Sequence, residues 1–256
     1  MSVMKNLMIF IGPKGTFDTG ISKLANDYGQ MAKVQIENSL ALGWKAKDIL
    51  LFTNFGFEYG PIKASVLKGA NFIYQLPRTS KINGIIKLFE KGLIKKGELY
   101  WFHDLDAFQL APITESELDL GDADMAMANY GRFKRYNTGS IFFKSSSKDI
   151  FYKIGEIVYK KNIDEEKALE LLEAKDRKIK RRIKTINKTY NFTAFNLKPS
   201  YKRAIKPIKV VHFHPLARIR QLKIEKPLDY FKGENYMGIP LLTERLIKIF
   251  KYHRIR

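Results

Sequence analysis

Two carboxylates lie one residue apart in the stretch YWFHDLDAFQL at residues 100–110. Aromatic and apolar residues surround Asp104 and Asp106, so we predict that the pair ends a buried strand. Side chains at positions i and i+2 of an extended segment point to the same side, and the two charges would repel each other unless a cation or a proton neutralised them. The spacing indicates a site for a hard divalent cation such as Mg²⁺ or Mn²⁺, although solvated turns also contain this pattern.

Two of the four histidines lie in the stretch VVHFHP at residues 210–215. His212 and His214 alternate on a predicted strand and therefore share one side of it. Imidazole binds metal ions and phosphate groups, whereas a lone histidine is more often structural. We predict a metal or phosphate role for this pair. Other nitrogen or sulfur ligands that a zinc site would need are not obvious in the sequence.

A short polar segment, Asn137-Thr138-Gly139, enters the apolar strand of YNTGSIFF. It allows a tight turn whose backbone N–H groups and side-chain amide face a ligand. The alternative is an ordinary turn into a buried strand.

Three acids, Asp164, Glu165 and Glu166, begin a predicted helix in the stretch NIDEEKALELL. Acids in a first helical turn are favoured by the helix dipole, which explains them without any function. The functional interpretation is a carboxylate that reaches the reaction centre, which in an enzyme that inverts stereochemistry would be a general base.

Glycine-rich phosphate loops are absent from the N-terminal region. Gly15 and Gly20 have the spacing of a Walker A loop, but Ile21 stands where its lysine must be, and no G-x-G-x-x-G follows the first predicted strand. Gly12 and Gly15 are therefore predicted to be turn residues.

Strands and helices alternate along residues 1–110, which form the predicted nucleotide-binding half. Strands are predicted at 6–12, 48–55, the end of 64–76 and 98–108, and helices at 20–43, the start of 64–76 and 81–94. This alternation is typical of a mostly parallel sheet with helices on both faces, which binds ligands beyond the carboxyl ends of its strands. Gly12, Asn54 and the Asp104–Asp106 pair fall at such ends, so we predict that they surround one ligand.

The remaining residues have no internal repeat and no low-complexity linker. Strands are predicted at 122–130, 138–143 and 206–215, and helices at 148–160 and 164–184. We predict one domain over residues 1–220, with 111–220 as its substrate half, followed by a basic extension at 221–256.

The chain carries 46 Lys and Arg residues against 26 Asp and Glu, a formal charge of +20. Such an excess attracts nucleic acid, an anionic membrane or phosphorylated substrates, and a generally basic proteome is the alternative explanation. No apolar run approaches the roughly 20 residues that span a bilayer. The absence of cysteine excludes disulfides and fits a cytoplasmic location.

The C-terminal stretch LLTERLIKIFKYHRIR has the pattern of a basic amphipathic helix. Such helices lie on anionic membranes, which would make the protein peripheral. The alternative is a terminal helix that packs on the domain.

Four blocks in sequence order, YWFHDLDAFQL, YNTGSIFF, DEEKAL and VVHFHP, resemble the GT-A-fold glycosyltransferases that use a nucleotide-sugar donor. Their order is most similar to that of glycosyltransferase family eight. The resemblance covers residues 6–215 as an order of elements and is specific only in these blocks. It implies a GT-A-like, Rossmann-like sheet flanked by helices.

The resemblance also implies a ligand set. Asp104 and Asp106 would hold Mn²⁺ or Mg²⁺ on the donor diphosphate, and His212 would be the third protein ligand, with His214 as a second candidate. A UDP-sugar is the favoured donor, and the acceptor would be a glycan or a lipid-linked molecule.

Further site residues follow from the same resemblance. Asn137, Thr138 and Gly139 would form the wall under the sugar, and Asp164 or Glu165 would contact the sugar or the acceptor. Relatives carry a basic residue near the donor, one helix before the D-x-D strand. Lys87 matches it by spacing, and Lys81 is the competing candidate.

Two departures from the family pattern leave the stereochemical outcome open. The acidic Asp-Gln motif is Asp164-Glu165-Glu166 here, and the lysine-containing tail after the histidine motif is replaced by residues 215–218. Two other functions compete with the glycosyltransferase: a metal-dependent nucleic-acid-processing enzyme, and a noncatalytic binding module in which Asp104 and Asp106 form a charged turn.

Overall fold

A computed structural model of the chain describes residues 4–17, 27–130, 135–193 and 201–212. Its strands are β1 (Met4–Phe10), β2 (Ile49–Thr53), β3 (Glu58–Tyr59), β4 (Ile62–Lys63), β5 (Ser65–Val66), β6 (Leu99–His103), β7 (Ala107–Gln109), β8 (Met125–Asn129), β9 (Tyr136–Lys144), β10 (Ile183–Thr185), β11 (Phe192–Thr193) and β12 (Val210–His212). Its α-helices are α1 (Asp27–Ala41), α2 (Ser80–Glu90), α3 (Glu115–Leu118), α4 (Lys148–Lys161), α5 (Glu165–Lys175) and α6 (Arg177–Arg181).

Seven strands form the main sheet in the order β10-β8-β9-β6-β1-β2-β5. Strands β6, β1, β2 and β5 run parallel, as do β10 and β8, while β9 is antiparallel to both of its neighbours. The sheet is therefore mostly parallel, and the carboxyl ends of β1, β2 and β6 meet at one edge.

Alternate residues of β1 enter two different cores, because successive side chains of a strand point to opposite faces. Leu7 and Ile9 pack in the cluster that contains the apolar faces of α2, α4 and α5. Met8 packs on the other face, in the cluster that contains Met31 and Ile36 of α1. Helices thus cover both sides of the sheet, and the predicted fold class is confirmed.

Three short strands form a second, smaller sheet in the order β11-β12-β7. β12 runs antiparallel to β7, and His212 lies opposite Ala107 in their register. Ala107 follows Asp106 directly in the sequence. This pairing explains how a histidine that is distant in sequence comes to lie beside the two carboxylates.

The prediction of a short helix followed by a strand over residues 64–76 is wrong. The segment contains β5 and then irregular chain, with turns at Leu67–Ala70 and Ile73–Leu76. Gly69 has φ +80°, a conformation that ends regular structure and that glycine adopts readily. The apolar residues that suggested a strand, Phe72 and Ile73, pack against the core from this irregular chain.

A single helix over residues 164–184 is also wrong. The helical segment is divided at Asp176, whose backbone is extended and whose Oδ1 accepts hydrogen bonds from the N–H groups of Lys178 and Ile179, each at 3.1 Å. Asp176 is thus the N-cap of α6, and capping of this kind favours a new helix start. After α6 the chain forms the edge strand β10.

Some predictions fall partly or wholly outside the described residues. Gly43 ends α1 with φ +90°, as predicted, whereas the predicted start of this helix at residue 20 lies outside the described residues. The extension 221–256 and its amphipathic helix also lie outside them, so the domain limits stay predictions. Within the part of the chain that the structure describes, no helix is both long and apolar enough to cross a bilayer.

Candidate metal centre and active site

Asp104, Asp106 and His212 form a compact cluster at the carboxyl end of β6. One ligand atom from each of the three lies within 4.8 Å of the others. His212 Nε2 is 3.0 Å from Asp106 Oδ1 and 3.9 Å from Asp104 Oδ2. The two carboxylates converge through a turn and not through an extended strand, because β6 ends at His103 and the N–H of Ala107 donates to the carbonyl of Asp104 at 3.0 Å.

Helix α1 holds this turn from behind. The buried amide of Gln35 donates to the carbonyls of Leu105 and Ala107, at 2.9 and 3.0 Å, on either side of Asp106. One turn later on the helix, the Asn38 amide donates to the carbonyl of Gln109 at 2.8 Å. Two hydrogen bonds from Gln35 therefore hold the backbone on both sides of Asp106.

The imidazole of His212 lies on the backbone of Gly139. A Cβ atom at that position would be 2.1 Å from His212 Cε1, so glycine is the residue that leaves room for the ring. Asn137 Oδ1 lies 3.2 Å from His212 Nδ1 and also accepts from the N–H of Gly139 at 2.9 Å. An acceptor at Nδ1 favours the tautomer in which Nδ1 carries the proton and Nε2 offers its lone pair to the carboxylate side, the arrangement typical of metal-binding histidines.

Lys81, from the first turn of α2, is the cation that joins the acids of the site. Its Nζ lies 2.9 Å from Asp104 Oδ2, 3.3 Å from Glu165 Oε1 and 3.3 Å from the carbonyl of Thr138, and the side chain is only 8% exposed. Burial alone would lower the pKa of Lys81, but the charges of Asp104 and Glu165 outweigh it and raise the pKa. Lys81 is therefore charged throughout the physiological range.

Glu165 is the buried member of the acidic helix start. Its Oε1 accepts from the hydroxyl of Thr138 at 2.8 Å, and its Oε2 accepts from the hydroxyl of Thr79 at 2.5 Å. Burial would raise the pKa of this carboxyl, but Lys81 and the two hydroxyls overcome that effect and lower it. Glu165 is thus a fixed negative charge beneath Thr138.

Asp164 and Glu166 flank Glu165 and share one arginine. Asp164 caps α5 by accepting from the N–H of Lys167 at 2.7 Å, is 46% exposed and lies 2.5 Å from the guanidinium of Arg135. Glu166 lies 3.0 Å from Arg135 Nε and accepts from the hydroxyl of Tyr130 at 2.8 Å. Burial, followed by the charge of Glu165, raises the pKa of Glu166.

Gly12 and Asn54 are joined to each other at the ends of β1 and β2. The N–H of Gly12 donates to Asn54 Oδ1 at 2.9 Å, and Asn54 Nδ2 donates to the carbonyl of Gly12 at 2.7 Å. A Cβ on Gly12 would lie 1.9 Å from the carbonyl oxygen of Thr16, so this turn requires glycine.

One candidate residue, Lys87, is not brought to the cluster, and another cannot be placed. Lys87 lies about 1.7 turns beyond Lys81 along α2, roughly 9 Å of helix rise. There its amine forms an ion pair with Glu90 at 2.5 Å. His214 lies outside the described residues. Spacing favoured Lys87, whereas the structure places the competing candidate, Lys81, against the D-x-D.

Several residues of the site escaped the sequence analysis. Thr79, Arg135 and Tyr130 carry no signal in a single sequence, since each lies in a loop or at an element end. Gln35 and Asn38 could have been found, because they lie on the buried face of α1 at the i and i+3 spacing that apolar residues normally occupy.

Solved structures resemble this chain although sequence families do not. No protein-family model matches it, and no curated protein matches it. The galactosyltransferase LgtC, in complex with donor and acceptor sugar analogues, superposes with a TM-score of 0.56 over 97% of this chain and 95% of its own, at 14% identity.

Two further structures agree with that match. A glycosyltransferase involved in glycosylation of the major capsid of PBCV-1 has a TM-score of 0.51 over 81% of this chain and 93% of its own, at 15% identity. GlyE of Streptococcus pneumoniae has a TM-score of 0.53 over 82% of this chain and 55% of its own, at 13% identity. The chain has the GT-A fold. At these identities the likeness is one of fold, and membership of family eight stays a prediction.

Proposed function

We propose that this protein is a metal-dependent glycosyltransferase that moves a sugar from a nucleotide-diphosphate sugar to a glycan or lipid-linked acceptor. The observation that supports it most directly is the cluster of Asp104, Asp106 and His212 at the carboxyl end of a GT-A sheet. The preference for a UDP-sugar rests on the resemblance to family eight. The fold likeness does not favour the nucleic-acid-processing and noncatalytic alternatives.

The residues of the cluster fit a divalent cation. Two carboxylates and one imidazole make a donor set that suits Mn²⁺ or Mg²⁺ and leaves further positions for diphosphate oxygens and water. The partly buried carboxylates already lie near one positive charge, that of Lys81, which reduces their mutual repulsion. Lys81 contacts Asp104 and leaves the space between the three ligand atoms for a cation. When bound, the cation would stabilise the negative charge that develops on the leaving diphosphate.

On the donor side, this chain supplies positive charge and a fixed backbone. Lys81 places its ammonium against Asp104, where it adds to the positive potential at the diphosphate. The hydrogen-bonded pair of Gly12 and Asn54 joins the ends of β1 and β2 at the same edge of the sheet, where we expect the nucleoside to bind.

On the sugar side, the two proposed catalytic carboxylates have different environments. Glu165 is buried and accepts from two hydroxyls, so it acts best as a fixed negative charge facing the positive charge of an oxocarbenium-like transition state. Asp164 is half exposed, which suits contact with an acceptor hydroxyl. Asn137, Thr138 and Gly139 form the backbone between these acids and His212, and we propose that they line the sugar.

The test is a thermal-shift series with UDP, GDP, CDP and ADP, each with and without Mn²⁺. A ligand that binds only the folded state stabilises it by about 2.7 kcal/mol at a hundredfold excess over its Kd. We expect one nucleotide, UDP by preference, to raise the Tm only with the metal, and Asp106→Ala to abolish the shift. The absence of any nucleotide shift, together with stabilisation by oligonucleotides at low salt, would overturn the proposal.

A further inference from the structure

The positive charge of this protein is concentrated in one part of the sequence. Residues 177–212 contain twelve Lys and Arg residues and no Asp or Glu. Within the described parts of this segment, three cations form ion pairs with carboxylates from elsewhere in the fold: Arg182 with Asp124 and Asp149, Lys184 with Asp119, and Lys209 with Glu117. Exposed cations of the same segment, such as Lys202 and Arg203, could face a partner.

Two parts of this basic segment, residues 187–188 and 202–206, form one surface. Asn187 Nδ2 donates to the carbonyl of Arg203 at 3.3 Å, and its Oδ1 accepts from the N–H of Ile205 at 3.0 Å. Burial lowers the pKa of Lys188 and the nearby charge of Arg203 lowers it further, as expected for two cations held side by side. We call the patch formed by Lys188, Lys202, Arg203, Ile205 and Lys206 the Ile205 surface.

Three cations of this surface have no acidic partner among the described residues. Among the described residues, no carboxylate forms an ion pair with Lys202, Arg203 or Lys206. Lys206 contacts neutral groups instead: its Nζ lies 3.5 Å from the centre of the Tyr201 ring and 3.0 Å from the carbonyl of Ala204. Lys202 and Arg203 are exposed.

An aliphatic side chain stands among these cations. Ile205 is 63% exposed, although its neighbours Ala204 and Ile208 are buried in the core. A phosphate-bearing glycan or a nucleic acid would use the cations and gain little from an exposed isoleucine. A lipid bilayer uses both, because its anionic headgroups attract the cations and its acyl boundary accepts the aliphatic group.

We propose that the Ile205 surface docks on a membrane rich in anionic lipid. The surface lies on the segment that leads directly into β12, whose last residue is His212 of the metal cluster. Docking there would bring the active site to the lipid side, which suits a lipid-linked acceptor. The docking itself requires no catalysis, so its test and that of the proposed function fail independently.

The test is binding of the full chain to vesicles of phosphatidylcholine alone and of phosphatidylcholine with phosphatidylglycerol, measured by co-sedimentation. The double substitution Lys202→Gln with Arg203→Gln should weaken binding to the anionic vesicles about thirtyfold, since each cation near such a surface contributes appreciably. Ile205→Ser keeps the charge and should weaken it about tenfold through loss of apolar transfer. Neither change should alter the thermal unfolding curve, because all three side chains are exposed.

A matched control exists in the same basic segment. Arg177 and Lys178 are also an adjacent, exposed Arg and Lys pair, on α6, and Arg177→Gln with Lys178→Gln removes the same charge. We expect this control to lose less than about threefold, by ordinary long-range electrostatics. An equal loss in the control, no loss in the Lys202 and Arg203 variant, or binding to single-stranded RNA or polyphosphate that matches lipid binding and ignores Ile205→Ser would each overturn the proposal.

Discussion

Lys81 Nζ lies 2.9 Å from Asp104 Oδ2, and this contact joins the metal cluster to the acidic helix start at Glu165. One buried cation thus serves carboxylates from two separate parts of the chain. Removing it would leave acids uncompensated in a mostly buried environment, which is costly.

Lys81→Met should therefore lower the free energy of unfolding by about 3 kcal/mol, because it breaks a largely buried ion pair. Urea denaturation measures the change. The control is Lys87→Met on the same helix, whose half-exposed pair with Glu90 should contribute less than about 1 kcal/mol. Equal losses in the two variants would show that Lys81 has no special place in the site.

Gly139→Ala tests the contact between the glycine backbone and the histidine ring. A methyl group 2.1 Å from the ring must displace His212, so we expect Mn²⁺ affinity in the presence of nucleotide to fall by about tenfold or more. Gly56→Ala is the control, since no heavy atom would lie within 4 Å of its Cβ. Isothermal titration calorimetry measures both, and unchanged affinity in the Gly139 variant would contradict the assigned geometry.

Gln35 is predicted to position Asp106 through the backbone. Gln35→Leu removes the two bonds to the carbonyls of Leu105 and Ala107 and should cost about 2 kcal/mol of stability, with metal affinity about tenfold weaker. Asn38→Leu removes a bond of the same kind to Gln109, farther from the carboxylates, and should lower stability with metal affinity unchanged. If both variants lose metal affinity alike, Gln35 is merely structural.

The lowered pKa of Glu165 predicts a pH dependence of stability. A carboxyl whose pKa is lower in the folded state binds fewer protons there, so its stabilising effect is complete above its ordinary value of 4.5 and is lost as the pH falls through the folded pKa. The stability difference between the wild type and Glu165→Gln should be constant near neutral pH and shrink below 4.5. Denaturation curves across this range measure it, and a difference that grows on acidification would have the wrong sign.

The sequence predicted those parts of the site that local chemistry marks. The proximity of Asp104 and Asp106 was predicted from their spacing, although they converge through a turn and not through the extended strand that was expected. The place of His212 beside them followed from the family resemblance and not from its residue type alone. Spacing favoured Lys87 over Lys81, but contact with Asp104 depends on the face of α2 that meets Thr138 and Glu165, and Lys81 lies on that face. A turn at residues 104–107 was likewise hidden, since the apolar residues after it continue the pattern of the strand before it.

Two predicted elements, at residues 64–76 and 164–184, were wrong for identifiable physical reasons. Phe72 and Ile73 pack against the core, yet the chain around them forms turns, one of which contains Gly69 with φ +80°. The long helix over 164–184 is divided by Asp176, whose side chain competes as a cap for the N–H groups that follow it. In both cases tertiary contact or capping outweighs the periodic pattern.

The central claim is that Asp104, Asp106 and His212 hold a metal-bound sugar donor. Its most direct measurement is slow hydrolysis of a panel of nucleotide sugars by the purified chain, which needs no known acceptor. We predict release of free sugar from one donor, UDP-linked by preference, only with Mn²⁺ or Mg²⁺ and reduced at least about a hundredfold in Asp106→Asn, with Asp122→Asn, an exposed carboxylate, unaffected. Hydrolysis that persists in Asp106→Asn, or that needs no metal, would contradict the account.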